Sequence, residues 1–382
     1  MRRWMLVLVT AAIFGVQAVP ATSARARPAV TPADRALDSA LSRLVHVKGG
    51  PVGVVAVVQR GRQMATHSAG RARVGGGRPT ALDAMRLAST TKAFNGAVAL
   101  VLVSRRALSL NDTIAQRLPY LPAAWGEVTL AEALEHTSGL PNFTESPSYL
   151  AALTASPARG PAPGQLVAFV GNQRLLFSPG SRYHYSNTDN VIAGLMVEQA
   201  TGRSYEQELQ SLVLNPLGLR RTALPTTVAM PRPLFHGYQL TTSGTPEDIS
   251  TEISPAWTWA AGGMVSTPAD LNRFARAYAR GSLFSRAVRR AQLRTIKGDS
   301  EPPGPGINFS GLGIFRYRTR CGTVYGHTGN FPGYTQFFAA TLNGKRSVTV
   351  SVNEQLRPDL QAHVFGLLQG AETLAVCAAL AR

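Results

Sequence analysis

LGIFRYRTRCGTVYGHTGNFPGYTQFFAATLNGKRSVTVSVN, residues 312–353, is the stretch in which the spacing of apolar residues becomes typical of β-strands. Residues 312–325, 337–342 and 346–353 alternate apolar and polar side chains or are rich in β-branched residues. Asn343-Gly344, between the last two segments, is a characteristic hairpin turn. The stretch therefore predicts antiparallel strands near the carboxyl end of the chain.

Further helices and strands are predicted near both ends of the chain. Thr31-Pro32-Ala33-Asp34 is typical of a helix start, and residues 359–380 predict an amphipathic closing helix. Residues 52–59 and 63–68, which flank a glycine turn, predict a β-hairpin. We therefore expect an α/β (α+β) protein whose antiparallel sheet is built from both termini and flanked by the terminal helices.

The middle of the chain predicts a different kind of structure. From residue 92 to residue 245 the pattern is mainly helical, with loops rich in proline and glycine. We therefore expect residues 27–91 and 246–382 to form the α/β sheet domain, and residues 92–245 to form an inserted, all-helical domain.

Composition excludes several classes of protein. Of 382 residues, 45% are hydrophobic and 16% are charged, which excludes a disordered chain. The formal net charge is +18, but the basic residues are scattered and form no nucleic-acid-binding motif, so we expect no nucleic-acid partner. Anionic wall polymers or lipids are the surroundings that this charge favours.

The first residues are typical of an export signal. Arg2 and Arg3 precede a mostly apolar run over residues 5–19, and small residues follow it. We interpret residues 1–26 as a signal peptide, because the run is shorter than the ~18 residues that span a membrane. The alternative is an amino-terminal anchor that is retained. A secreted protein, extracellular or associated with the cell wall, is therefore the expectation for localisation.

The two cysteines, Cys321 and Cys377, are an even number in a chain that we expect to be exported. This favours one disulfide, which would join a strand to the closing helix, and the alternative is two buried free thiols. The seven histidines fall at no metal-ligand spacing with the cysteines, so we expect neither a metal site nor a cofactor.

Ser89-Thr90-Thr91-Lys92 begins an apolar helical run and places the serine and the lysine on one helix face. A serine hydroxyl needs a neighbouring base to become a nucleophile, and a desolvated lysine can be that base. Lys92 is one of only four lysines in a chain rich in arginine, which cannot deprotonate. The alternative is an N-cap serine beside a surface lysine.

Two further motifs carry groups that can take part in catalysis. Tyr185-Ser186-Asn187 offers a hydroxyl for proton relay and an amide for binding, although packing in a loop is the alternative. His327-Thr328-Gly329 lies in a predicted strand, whose backbone can pair with an extended substrate. His136-Thr137-Ser138-Gly139 has a sequence similar to His327-Thr328-Gly329, but we interpret it as a structural helix end and turn.

Together, the three motifs resemble the S-x-x-K, Y-x-N and K/H-T-G motifs of the serine β-lactamase and penicillin-binding-protein superfamily, in the same order. The sequence is similar to the group that contains class C β-lactamases, D-alanyl-D-alanine carboxypeptidases and β-lactamase-fold esterases. Residues 135–140, 216–218 and 262–267 also resemble stretches of this family. The resemblance covers nearly the whole mature chain and implies a β-lactamase/transpeptidase-like fold.

The resemblance also implies roles for single residues. Ser89 would attack the substrate carbonyl and form an acyl-enzyme, and Lys92 and Tyr185 would share the proton transfers. Asn187 would hold the acylamino side chain of the substrate. The backbone N–H groups of Ser89 and Asn330 would form the oxyanion hole.

The implied substrate strand carries one departure from the family. His327, Thr328 and Gly329 would bind the leaving side or the carboxylate of the substrate. Carboxypeptidases of this branch place an arginine two positions after a Gly-Leu-Gly segment to bind that carboxylate, and here the position is Phe315. Arg316 would face the other side of a regular strand.

The sequence therefore predicts a secreted, monomeric serine hydrolase that acts through an acyl-enzyme. The expected substrates are D-Ala-D-Ala peptides or β-lactams. A carboxylesterase of the same fold is the alternative, and a binding protein for wall peptides without turnover is a further one. The presence of Ser89, Lys92 and Tyr185 argues against the last alternative, because a pure binding protein does not need all three.

Overall fold

The computed structural model describes residues 30–381, so the predicted signal peptide, residues 1–26, lies outside the described residues. An eight-stranded antiparallel sheet combines strands from both ends of the chain, in the order β2-β1-β12-β11-β10-β9-β8-β7. The strands of the protein are β1 (Gly53–Arg60), β2 (Gln63–Gly70), β3 (Met85–Arg86), β4 (Tyr238–Leu240), β5 (Pro246–Asp248), β6 (Val265–Ser266), β7 (Ile296–Lys297), β8 (Ile307–Gly311), β9 (Ile314–Thr319), β10 (Gly322–Phe331), β11 (Tyr334–Ala340) and β12 (Arg346–Val352).

Helices cover the sheet and fill the middle of the chain. They are α1 (Pro32–His46), α2 (Thr91–Ser104), α3 (Ile114–Arg117), α4 (Leu130–Glu135), α5 (Pro147–Ala155), α6 (Pro163–Ala168), α7 (Asn187–Thr201), α8 (Tyr205–Leu209), α9 (Asn215–Leu217), α10 (Trp259–Gly262), α11 (Pro268–Arg280), α12 (Arg286–Gln292) and α13 (Ala362–Leu380). Short 3₁₀ turns at Ala88–Thr90, Ala123–Trp125, Phe143–Glu145 and Pro255–Trp257, and a π turn at Gln210–Leu214, complete them. The predicted fold class is confirmed, whereas the boundaries of the two lobes stay a prediction.

The terminal helices pack together on one face of the sheet. Thr31 caps α1, as predicted, by accepting a hydrogen bond from the backbone N–H of Asp34. The leucines of α1 and the apolar face of α13 form one core with the valines of β1 and β12 that point to that face. Helix α11 and the helices of the middle region form a second core on the opposite face.

The side-chain alternation of β12 explains its place in the centre of the sheet. Val348, Val350 and Val352 enter the core formed by the terminal helices. The intervening polar residues are buried against α11, where Ser347 donates to Asn272 and Thr349 donates to the carbonyl of Pro268. Because these two hydroxyl groups have partners, Ser347 and Thr349 can be buried without an unsatisfied polar atom, whereas the buried Ser351 Oγ has no hydrogen-bond partner within residues 30–381.

The strand-like stretch over residues 312–325 contributes to two strands, β9 and β10, with a turn between them. The chain turns at Arg320-Cys321, between β9 and β10, and the Thr319 hydroxyl closes the turn by donating to Gly322 O and accepting from the Cys321 N–H. The alternation continues on both sides of the turn, and no Asn-Gly or proline signal marks it. The short strands β7 and β8 were not predicted, because they flank the proline- and glycine-rich segment, residues 301–306, and are too short to show a clear alternation.

The disulfide between Cys321 and Cys377 is confirmed. It joins the β9–β10 turn to α13, and therefore connects the strand that carries His327 to the closing helix.

Replacing both Cys321 and Cys377 with serine is expected to lower the free energy of unfolding. The bond closes a loop of 56 residues, for which the chain-entropy model gives a stabilisation of roughly 4 kcal/mol. Urea unfolding of the variant and of the oxidised wild type measures the difference. Reduced wild type is the matched control and should behave like the variant, and equal stability of all three samples would contradict the expectation.

Candidate active site

Ser89 lies in the tight turn Ala88–Thr90 immediately before α2, and its side chain is partly exposed. Ala88 has a φ of 52°, in the left-handed region that only glycine adopts without strain. The turn thus presents the Ser89 hydroxyl at the amino end of a 14-residue helix, where backbone N–H groups favour negative charge.

Lys92 lies one turn further along and is almost completely buried. Its Nζ is 2.9 Å from Ser89 Oγ, 2.6 Å from Asn187 Oδ1 and 2.7 Å from the carbonyl oxygen of Ala261. Burial lowers the pKa of Lys92 to about 7, although the negative charges of Glu301 and Asp189 act in the opposite direction. A neutral Lys92 can donate its two protons to Asn187 and Ala261 and keep its lone pair for the Ser89 hydroxyl.

Asn187 begins α7 and is fixed by several hydrogen bonds. Its Oδ1 accepts from Lys92, and its Nδ2 donates to Asn142 Oδ1 at 3.2 Å and to Thr144 Oγ1 at 3.0 Å. In this arrangement the Asn187 amide orients Lys92.

Tyr185 is buried beside the same pair of residues. Lys92 Nζ lies 5.0 Å from the centroid of its ring. Burial raises the pKa of Tyr185 well above its ordinary value, and contact with Ser89 acts in the opposite direction. Within residues 30–381 its hydroxyl makes no hydrogen bond of normal geometry, so it is free to bond to a substrate or to Ser89.

Strand β10 runs directly against the Ser89 turn. A Cβ atom at Gly329 would lie 2.8 Å from the backbone nitrogen of Ser89 and 2.8 Å from the carbonyl oxygen of Leu87, so only glycine allows this approach. Strand β9 pairs with β10 only as far as Gly326. Beyond it, no described strand (residues 30–381) pairs with that edge of β10.

The other residues of this strand are uncharged and held by the protein. Burial, together with the charge of Lys92, lowers the pKa of His327 to about 3, so the ring is neutral at pH 7. The Thr328 hydroxyl donates to the carbonyl of Pro302 at 2.6 Å. The Asn330 side chain bonds to Leu356 O and to the Thr335 hydroxyl, which leaves only its backbone for the substrate.

Phe315 occupies the position at which the related carboxypeptidases would have an arginine. Its ring is buried and packs edge-on against His327, with 5.0 Å between the ring centroids. Arg316 lies on the opposite side of β9, where its guanidinium stacks on Phe309 at 4.1 Å from the ring centroid. The position therefore supplies no cation to a substrate carboxylate.

Two glutamates add negative charge to the site. Partial desolvation and the Glu145 carboxylate raise the pKa of Glu301 to about 7, although the charge of Lys92 acts in the opposite direction. Both glutamate side chains are exposed. Glu145 accepts a hydrogen bond from Asn142, which itself bonds to Asn187. Two exposed carboxyl groups therefore act on the electrostatics of the site, since Glu301 acts on Lys92 and Glu145 acts on Glu301, although the whole chain is strongly basic.

The beta-lactamase family model matches residues 37–370, which include every residue of this site. The chain belongs to the beta-lactamase family. Penicillin-binding protein 4* of Bacillus subtilis is 23% identical over 321 residues, which are 79% of this chain and 68% of that protein. The D-alanyl-D-alanine-carboxypeptidase/endopeptidase AmpH of Escherichia coli is 26% identical over 252 residues, 65% of this chain and 62% of that protein.

Solved structures of this fold extend the comparison. The D-stereospecific amidohydrolase of a Streptomyces species is 30% identical, with a TM-score of 0.75 over 84% of this chain and 94% of that chain. The D-amino acid amidase of Ochrobactrum anthropi is 25% identical, with a TM-score of 0.77 over 91% of this chain and 98% of that chain.

The family fold brings the predicted residues Ser89, Lys92, Tyr185 and Asn187 together and places β10 beside them. Their catalytic roles stay predictions. Sequence reasoning missed the Ala261 carbonyl, whose contribution needs no particular side chain. It also missed Glu301, although acidic residues are scarce in this chain, because the residue lies in the proline- and glycine-rich region after α12.

The rate of acylation is expected to rise with pH through about 7 and then level off, because Lys92 must be neutral to accept the Ser89 proton and its pKa is about 7. Lys92→Arg and Lys92→Ala should both lose about 10²-fold or more in acylation rate, since a guanidinium keeps the charge but cannot act as a base. Stopped-flow labelling between pH 5 and pH 9 measures both effects. An arginine variant with most of the wild-type rate would show that Lys92 is only an electrostatic partner.

Proposed function

We propose that this protein is a serine amidohydrolase that cleaves small peptides and amides through an acyl-enzyme. The observation that carries the proposal is the 2.9 Å contact between Ser89 Oγ and a buried lysine whose pKa is about 7. Lys92 takes the Ser89 proton as Oγ attacks the carbonyl carbon. The backbone N–H groups of Ser89 and Asn330 stabilise the oxyanion, and water then hydrolyses the ester.

The residues that would face the leaving group of the substrate carry no charge, which supports a neutral leaving group. A terminal carboxylate in a partly dry cleft needs a fixed cation, whereas Phe315 and the neutral His327 offer none. Cleavage of an amide or of a peptide bond with a neutral leaving group therefore fits the site better than release of a free D-alanine. The names of two structural relatives, a D-amino acid amidase and a D-stereospecific amidohydrolase, support the same substrate class.

The carboxyl groups of Glu301 and Glu145 support a substrate with a free amino group. Glu301 and Glu145 both act on the electrostatics of the site, and an ammonium group on the acyl side of the substrate would be attracted to them. The substrate class that we propose is thus a D-amino acid amide, or a short peptide that begins with a D-amino acid.

D-Ala-D-Ala carboxypeptidase activity is the second candidate. The His327-Thr328-Gly329 motif and the relationship to AmpH favour it, whereas the lack of an arginine at position 315 disfavours it. Export of the protein to a cell-wall environment, which its basic charge and first residues suggest, is part of the proposal and is compatible with either candidate.

Intact-protein mass spectrometry after incubation with a fluorophosphonate or a fluorescent penicillin tests the proposed nucleophile. The wild type should gain one adduct, and Ser89→Ala should gain none while keeping the circular dichroism spectrum of the wild type. Labelling of the Ser89→Ala variant at the wild-type level would refute the nucleophile.

A comparison of kcat/KM for a D-Ala-D-Ala peptide and for its C-terminal amide tests the leaving side. We expect a preference for the free acid well below the ~10-fold that a charged hydrogen bond supplies. A strong preference for the acid would show that another cation reaches the site, and would support the carboxypeptidase candidate.

Glu301→Gln is expected to lower kcat/KM for D-alanine p-nitroanilide severalfold, because the neutral amide attracts the substrate ammonium less. The N-acetylated substrate, which has no ammonium, should lose little. Glu127→Gln, a change at another exposed glutamate, is the matched control. Equal losses for both substrates would show that Glu301 does not recognise the amine.

A further inference from the structure

His136 has a backbone conformation that is unusual for its residue type. It ends α4 with a φ of 65°, in the left-handed region where glycine is the usual residue. A side chain with a Cβ is strained in this region. Glycine would avoid this strain, but it could not make the contacts of the imidazole.

The buried imidazole and backbone of His136 contact three successive residues around the tyrosine. Its carbonyl oxygen accepts from the N–H of His184 at 2.8 Å, and its Nδ1 lies 3.4 Å from the N–H nitrogen of Ser186. Between them, its ring stacks on Tyr185, with centroids 4.3 Å apart and an angle of 28° between the planes.

The ring of His136 is itself held at the same nitrogen by a buried carboxyl group. Its Nδ1 lies 2.7 Å from Asp189 Oδ2, and the hydroxyl of Ser138 donates to Oδ1 of the same carboxyl group. Asp189 is completely buried in the first turn of α7, the helix that begins with Asn187. The pair therefore links the α4 turn to the helix that orients Lys92.

Tyr185 depends on such contacts for its orientation. Its hydroxyl makes no hydrogen bond of normal geometry within the described part of the chain, residues 30–381. The ring is held by the stack on His136 and by Lys92, whose Nζ is 5.0 Å from the ring centroid. Without His136, a cavity would open beside Tyr185 and the hydroxyl would lose its fixed place.

We propose that His136, held by Asp189, is a positioning residue that aims the Tyr185 hydroxyl at the leaving group of the substrate. The inference rests on the proposed function, because Tyr185 must protonate a leaving nitrogen. As the bond between the carbonyl carbon and that nitrogen breaks, the hydroxyl proton moves to the nitrogen. Tyr185 then recovers a proton from the Lys92 ammonium, which carries the proton that Ser89 released.

The test compares two substrates with the same acyl group, D-alanine amide and D-alanine p-nitrophenyl ester. The amide releases ammonia and needs a proton, whereas p-nitrophenolate leaves without one. His136→Gly is expected to lower kcat/KM for the amide by about 10²-fold and to change that for the ester little. A purely structural role would lower both values by the same factor.

A double-mutant cycle tests whether the loss of amide cleavage in His136→Gly acts through Tyr185. Tyr185→Phe should show the same selective loss on the amide, and His136→Gly combined with Tyr185→Phe should be no worse than Tyr185→Phe alone. Additive losses would overturn the inference. Asparagine tolerates the left-handed conformation but has no ring, so His136→Asn should also show a selective loss of kcat/KM for the amide. This variant replaces His136→Gly in the test if the glycine variant does not fold.

His67→Ala is the matched control, because His67 is also a buried histidine that bonds to an aspartate, with Nδ1 2.8 Å from Asp38 Oδ1 on the terminal-helix side of the sheet. It should affect both substrates equally. If the wild type cleaves both the ester and the amide, and His136→Gly lowers kcat/KM for both by the same factor, this inference alone is overturned. A wild type that cleaves neither overturns the proposed function and the inference with it.

Discussion

The buried amine of Lys92 is the group on which the rest of the site depends. A lysine removed from water is stable only if its protons find partners or if it loses its charge. Here both conditions hold, because three oxygen atoms surround Nζ and the pKa falls to about 7. The partners come from the Ser89 turn, from α7 and from α10, so the site exists only when these three elements are packed together.

The sheet supplies the fixed surface against which these helical elements are held. Strand β10 can approach the Ser89 turn because Gly329 has no side chain, and its edge beyond Gly326 is left unpaired by β9. The strand is central in the sheet, and the disulfide at Cys321 attaches its beginning to α13. The result is a rigid backbone edge beside a reactive hydroxyl, which is what binding of an extended substrate requires.

The charge of the site differs from the charge of the chain. The net charge of +18 comes from residues spread along the sequence, whereas the residues whose charges act on Lys92 include the acidic Glu301 and Asp189. Burial keeps His327 neutral. A few residues and their desolvation therefore set the polarity next to the leaving group and the charge that acts on Lys92. The overall composition gives no guide to either.

The sequence by itself determined the sheet built from both termini, the capped first helix, the disulfide and the three motifs, because alternation, caps and short motifs are local patterns. It could not locate the turn at Arg320-Cys321, where alternation continues on both sides. Only the tertiary structure decided that Asn187 and the Ala261 carbonyl hold Lys92, that Glu301 enters the site and that His136 stacks on Tyr185. These contacts join residues far apart in the chain, and desolvation, which sets their charges, arises only when the whole chain packs.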